Sequence, residues 1–143
     1  MSLQVRILTP TGEQLNCQAN QVTSTGLLGQ FAVLPGHIPF LSALKVGPTY
    51  IDTDEQRFYL ALGKGFVEVF DDQVTLFVDT AEDALDIDEK RAQIALEHAE
   101  DALKAWADKE ITSEVERLQQ AADRALNRLE IAKFKSEYNI VGK

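Results

Sequence analysis

The apolar residues of this chain repeat with two different periods, and the change comes once, near Thr80. Before it, apolar and polar residues alternate in short runs, as they do in strands with one buried face. After it, apolar residues recur at three- and four-residue intervals, as they do on amphipathic helices. The expected fold class is therefore α+β, with a β-domain over residues 1–84 and an antiparallel two-helix hairpin over 85–143.

The first strand is Leu3-Gln4-Val5-Arg6-Ile7-Leu8-Thr9, which alternates for most of its length and ends in the turn Pro10-Thr11-Gly12-Glu13. Further strands are expected at 14–19, 21–24, 30–34, 40–44, 49–52, 57–62, 65–70 and 73–78. The breaks between them carry turn residues: Val46-Gly47-Pro48, Thr53-Asp54-Glu55, Gly63-Lys64-Gly65 and Asp71-Asp72. Many short strands between turn signals imply a sandwich or barrel of about 80 residues. The stiffest turn follows Phe31-Ala32-Val33-Leu34, where Pro35 presets φ and Gly36 permits φ > 0, as a type II turn requires. Pro39 cannot donate to a ladder and belongs at an edge or a strand start. A loop this rigid either closes the sheet or presents a contact surface.

For the first helix, Asp86 is the expected cap, with Glu89 completing a capping box. Ala92, Ala95, Leu96, Ala99, Ala102, Leu103 and Trp106 then share one face. The periodicity lapses over 109–112. Ser113 with Glu116 opens a second stripe of Val115, Leu118, Ala122, Ala125, Leu126, Leu129 and Ala132. Alanine-rich seams allow close packing but bury little area. At roughly 25 cal/mol per Å² such a hairpin is marginal alone. It has to dock on the β-domain, on a partner, or on both, which makes it a candidate moving part. Arg117, Arg124, Arg128 and Lys135 fall within about 40° of one another, opposite the second stripe. Two readings stand: a solvated face with local salt bridges, or a basic ridge that steers the chain onto an acidic partner.

Chemistry-bearing patterns are scarce. The net charge of −9 over 143 residues argues against nucleic acid as a partner. A single cysteine, Cys17, excludes an internal disulfide and a Cys-rich metal site and suits a reducing compartment. No apolar run approaches the roughly 18 residues of a membrane span, and the N-terminus lacks a signal-peptide pattern. His37 and His98 are the only histidines, and neither has a metal-ligand partner at helical spacing. No phosphate-binding Gly-rich loop, nucleophile elbow or His-Glu-x-x-His is present. No metal site and no enzymatic activity are expected.

Five segments in order resemble the epsilon subunit of rotary F-type ATP synthases: Thr9-Pro10-x-Gly12; Gly29-Gln30-Phe31-Ala32-Val33-Leu34-Pro35-Gly36-His37-Ile38-Pro39; Gly65-Phe66-Val67-Glu68-Val69; Asp79-Thr80-Ala81-Glu82; and Ile87-Asp88-Glu89-Lys90-Arg91-Ala92. The resemblance spans essentially the whole chain. It implies a flattened β-sandwich of about ten strands and a regulatory helical hairpin, on a non-catalytic central-stalk subunit that couples proton flow to ATP synthesis. The implied partners are the gamma subunit and the c-ring, with the membrane reached only through the complex. The implied place is the cytoplasmic face of a bacterial plasma membrane, or the thylakoid stromal face for a plastid-encoded copy.

By the same resemblance, Gln30, Phe31, Pro35, Gly36 and His37 would face the c-ring; many members have Glu at the position of Gln30 and Gly at that of Ala32. In an extended state the hairpin would reach the alpha/beta catalytic head and block hydrolysis, with Arg117, Arg124, Arg128 and Lys135 against an acidic segment of beta. No cofactor is required, but some members bind ATP as a regulatory ligand in the compact state. Here that site would comprise Glu82, Asp88, Arg91, Arg124 and Arg128. His98 stands where strong binders have Arg. The alternative role for Asp88 and Arg91 is to cap and brace a helical turn. The alternative function is a free-standing β-sandwich adaptor with a helical docking arm.

Overall fold

Ten strands carry the period-two half of the chain in the computed structural model, which describes residues 1–106 and 113–137. They are β1 (Leu3–Thr9), β2 (Gly12–Ala19), β3 (Gln21–Gly26), β4 (Gly29–Val33), β5 (Phe40–Leu44), β6 (Gly47–Asp52), β7 (Arg57–Leu62), β8 (Gly65–Phe70), β9 (Gln73–Val78) and β10 (Ala81–Asp83). One layer runs β4-β3-β6-β7-β10 and the other β5-β8-β9-β1-β2, linked through the single ladder pair of Gly26 with Leu44. Neighbours are antiparallel except β1 and β9, which are parallel. Between the layers lie Leu3, Val5, Ile7, Val22, Val33, Ile51, Val67, Val69, Val74 and Leu76, all essentially closed to solvent. All are valine, isoleucine or leucine, and the β-branched majority packs well on a pleated, half-buried surface. The expected sandwich is the observed one.

Two strand readings need correction. Gly47 and Pro48 lie inside β6 rather than in a turn. Pro48 is tolerated there because β3 pairs with β6 only from Tyr50 to Asp52, so the missing N–H faces no ladder partner. Gly47 is required by space: a Cβ would come within 2.5 Å of the Thr25 hydroxyl oxygen. The second omission is β10, three residues without a hydrophobic alternation, pairing with Leu60–Leu62 of β7. It is short, but it carries Glu82.

Asp83 caps one turn of 3-10 helix, Ala84–Asp86, by accepting from the Leu85 N–H at 2.9 Å. Ile87 then returns to extended backbone and is buried. That break moves the start of helix α1 (Glu89–Ala105), whose cap is Asp88 and not Asp86. The Asp88 Oδ1 accepts from the Arg91 N–H at 3.1 Å. Helix α2 spans Ser113–Ala132, so Ser113, expected as its cap, is itself helical. The expected connection at 109–112 lies outside the described residues.

The two helices meet along Leu96, Ala99, Ala122 and Ala125, flanked by Leu103, Ala121 and Leu129. On its other side α2 is buried again: Ile131 and Ala132 pack with Ala61, Ala84 and Ile87, beside Tyr50 and Tyr59. Phe134 stacks on Tyr59 with centroids 4.4 Å apart and meets the edge of Tyr50 at 5.9 Å. Helix α2 is thus the middle layer between α1 and the outer face of β6 and β7. Leu126, assigned to the apolar stripe by periodicity, is instead 47% exposed.

Ile131→Ala removes a fully buried side chain from this docking surface and is expected to weaken the hairpin's hold by about 2–5 kcal/mol. Hydrogen exchange should accelerate across α1 and α2, with protection in β8 and β9 unchanged. Equal loss in both would contradict a hairpin docked as a separate layer.

Candidate functional site

Where β10 gives way to α1, a cleft of about 490 Å³ opens between the sandwich and the hairpin. Glu82 of β10, Asp86 of the 3-10 turn, Asp88 and Arg91 at the start of α1, and Arg128 of α2 line it, with Ala92 and Ala95 as its apolar wall. Its volume falls in the usual range for small-molecule sites. Arg128 Nε donates to Glu82 Oε1 at 2.7 Å, with both side chains about one-third exposed. The Arg91 guanidinium has no partner among the described residues. With the N-terminus of α1 beside it, the cleft offers two guanidinium groups and a positive helix end to an anion. The three carboxylates offer acceptors to hydroxyl or amino groups. Four of the five residues expected at the nucleotide site, Glu82, Asp88, Arg91 and Arg128, are therefore brought together.

The fifth is not. Arg124 does not line this cleft; it lines a small adjoining recess with Gly63, Thr80 and Asn127, to which Glu82 and Arg128 also contribute. The basic ridge also differs from its expected placement opposite the apolar stripe in open solvent. Because α2 is buried on two faces, Arg124 and Arg128 of the helix and Lys135 just past its end lie on the flank toward the sandwich and α1. Arg128 is held by Glu82, and Lys135 Nζ donates to the Ile87 carbonyl and lies 3.7 Å from the Glu89 carboxylate. Arg117 alone stands beyond the sandwich, and its partner Glu114, one turn back, holds it protonated while being pulled below the usual carboxylate range itself.

A residue the sequence did not mark sits at the centre of this junction. Asn127 is 7% exposed, and its Nδ2 donates to the carbonyls of Gly47 at 3.0 Å and Leu62 at 3.2 Å. It thereby pins α2 to the ends of β6 and β7. The one signal was its type, since Asn is a weak former of helix interiors. At the far end of the same strands, Tyr50 lies under the Arg57 guanidinium, 5.5 Å from the ring centroid. Burial pushes the Tyr50 hydroxyl up, with Glu130 and Tyr59 adding to the shift and Arg57 opposing it.

The expected rotor-facing residues fall on two elements. Gln30 and Phe31 belong to β4, where Gln30 is exposed and Phe31 turns toward the core with its ring 5.5 Å from that of Phe40. Pro35, Gly36 and His37 form the tight turn beyond it, closed by the His37 N–H donating to the Leu34 carbonyl at 3.1 Å. Gly36 is left-handed at φ 85°, as the type II reading requires. His37 is oriented by a 2.7 Å hydrogen bond between Nδ1 and the Ile38 carbonyl, and its ring lies against Phe40. Around this turn Leu34, Ile38, Leu41 and Phe70 are more than half exposed.

Comparison with known proteins bears on both halves. Residues 2–84 match the family model described as ATP synthase, Delta/Epsilon chain, beta-sandwich domain, and residues 86–133 the one described as its long alpha-helix domain. The ATP synthase epsilon chain of Geobacter metallireducens is 42% identical over 130 residues, covering 91% of this chain and 93% of that one. Its counterpart in Geobacter sulfurreducens is 43% identical over the same shares. Among solved structures, a chain of the Euglena gracilis mitochondrial ATP synthase assembly of OSCP, F1 and c-ring superposes with a TM-score of 0.77 at 19% identity. That match covers 92% of this chain and 81% of the other. A chain of the Tetrahymena thermophila central stalk and c-ring assembly gives 0.54 at 16% identity, over 93% and 95%.

Asn127→Asp keeps the size of the side chain but replaces the donor with a carboxylate facing two carbonyl oxygens. Each lost hydrogen bond costs about 1 kcal/mol, and the repulsion adds to that. The expected outcome is a released hairpin, read as a longer distance between spin labels on β7 and on the exposed face of α2. An unchanged distance would remove Asn127 from the docking contact.

Proposed function

The chain belongs to the ATP synthase delta/epsilon family, and we propose that within the complex it is a non-catalytic central-stalk subunit with a regulatory hairpin. It rides on the gamma subunit and touches the c-ring, turning with both. No described helix is long and apolar enough to cross a membrane, and the attachment is peripheral, through the c-ring, on the cytoplasmic face of a bacterial plasma membrane. The match along both halves favours this over a free-standing adaptor.

The observation that carries the regulatory role is the ion pair between Arg128 and Glu82. Arg128, which ties the hairpin to Glu82 of β10, and Lys135, which ties the chain after α2 to Ile87 and Glu89 at the start of α1, are among the cations an extended hairpin would present to an acidic segment of the catalytic head. One set of charges serves two exclusive contacts, so anything that strengthens the first weakens the second. Inhibition of ATP hydrolysis then follows from release of the hairpin.

ATP is the ligand whose chemistry suits the cleft. Arg91 and Arg128 would take phosphate oxygens beside the start of α1, and Glu82 and Asp88 would accept from hydroxyl or amino groups. Arg124, in the adjoining recess, stays out of this set. No cofactor is required for the structural role. A ligand held only by the docked form stabilises it by about 2.7 kcal/mol at a hundred times its Kd.

Calorimetric titration of the full chain with ATP, with and without magnesium, should give micromolar-range binding. Arg128→Ala and Arg91→Ala should each weaken it by about tenfold or more. No heat at millimolar ATP would remove nucleotide sensing and leave the hairpin as an electrostatic brake.

A further inference from the structure

The β8–β9 turn is made by two aspartates. Phe70 pairs with Gln73, so Asp71 and Asp72 form the entire loop, and both are left-handed, at φ 49° and 59°. This is the type I′ geometry, for which Asn-Gly and Asp-Gly are the favoured sequences because both central residues need φ > 0. Here neither position is glycine, and a side chain held in that region is strained.

The second aspartate makes a contact that glycine could not. Asp72 Oδ1 accepts the Gly36 N–H at 2.7 Å, while its own carbonyl accepts from the Gln4 N–H at 2.8 Å. Gly36 is at the tip of the connection between β4 and β5, which is where the chain crosses from one layer to the other. The carboxylate therefore fixes the crossover to the rim of the opposite layer, which is in turn tied to β1. On that rim Ile38, between the rigid bends at Pro35 and Pro39, and Leu34, just before the first bend, stand exposed, while Pro39 lines a shallow surface with the exposed Leu41 and Phe70.

We propose that Asp72 is the positioning residue of this surface, holding residues 34–39 so that their apolar side chains form one contact face with Leu41 and Phe70. The inference rests on the reading above in which the loop meets the c-ring. The strain of the turn persists because the aspartate at its second position is what reaches Gly36. A glycine there would relax the backbone and release the loop.

Amide exchange at Gly36, followed by nuclear magnetic resonance on the full chain, tests the hold directly. Asp72→Gly should accelerate exchange at Gly36 by about tenfold or more, the loss expected for a hydrogen bond to a charged acceptor. Asp72→Asn retains an acceptor oxygen but not its charge and tolerates φ > 0, so it should accelerate exchange less than Asp72→Gly. Asp71→Gly alters the same turn without touching the tether and should stay close to the parent. Unchanged exchange in Asp72→Gly, or equal acceleration in Asp71→Gly, would overturn the proposal. Binding of each variant to detergent-solubilised c-ring separates the two layers of inference. Weaker binding by Asp72→Gly alone is the expected result. Faster Gly36 exchange with undiminished binding would leave the tether in place and exclude the loop from the rotor contact.

Discussion

The amide of Asn127 donates to two carbonyls at the ends of β6 and β7, and the arrangement of the hairpin depends on that contact. The alanine seam between α1 and α2 brings the helices close without burying much area, so the pair gains stability mainly by lying on the sandwich. Apolar packing of Ile131 and the Tyr59–Phe134 stack supply attraction but little direction. A buried amide that must find its acceptors fixes where along the strands α2 comes to rest. Once it does, Arg128 is set opposite Glu82 and Lys135 over the start of α1, and the cleft exists between them.

The cleft is therefore a property of the docked state rather than of either part alone. Its walls come from β10, the 3-10 turn, α1 and α2, so a ligand bound there would report on hairpin position. It also explains a small fold detail. A three-residue strand and a single 3-10 turn add almost nothing to the core, yet they carry Glu82, Asp86 and the extended Ile87 that sets Asp88 as the cap of α1.

The sandwich was legible because its strands alternate cleanly and its turns carry Pro, Gly or Asp pairs. The sites where reading failed share one cause. Periodicity reports a single buried face per helix, and α2 has two, so Asn127 was passed over and Arg124, Arg128 and Lys135 were turned toward solvent. Leu126 went the other way, counted as core and found exposed. Pro48 read as a turn because local sequence cannot tell which side of a strand lacks a neighbour. The nucleotide-site residues came from resemblance, and it is tertiary packing that leaves Arg124 beside Glu82 and Arg128 but outside the cleft.

The single parallel pair in the sandwich sets an order on how the chain is made. β1 forms an early hairpin with β2, but its other edge is completed only by β9, whose residues leave the ribosome much later. Until then the nascent chain presents a hydrophobic strand, Leu3-Gln4-Val5-Arg6-Ile7, with an unpaired edge. Both helices follow all ten strands in the chain, so the surface they dock on precedes them. Domains fold largely as units in the order of synthesis, so this chain order suits a hairpin that docks on a platform already formed.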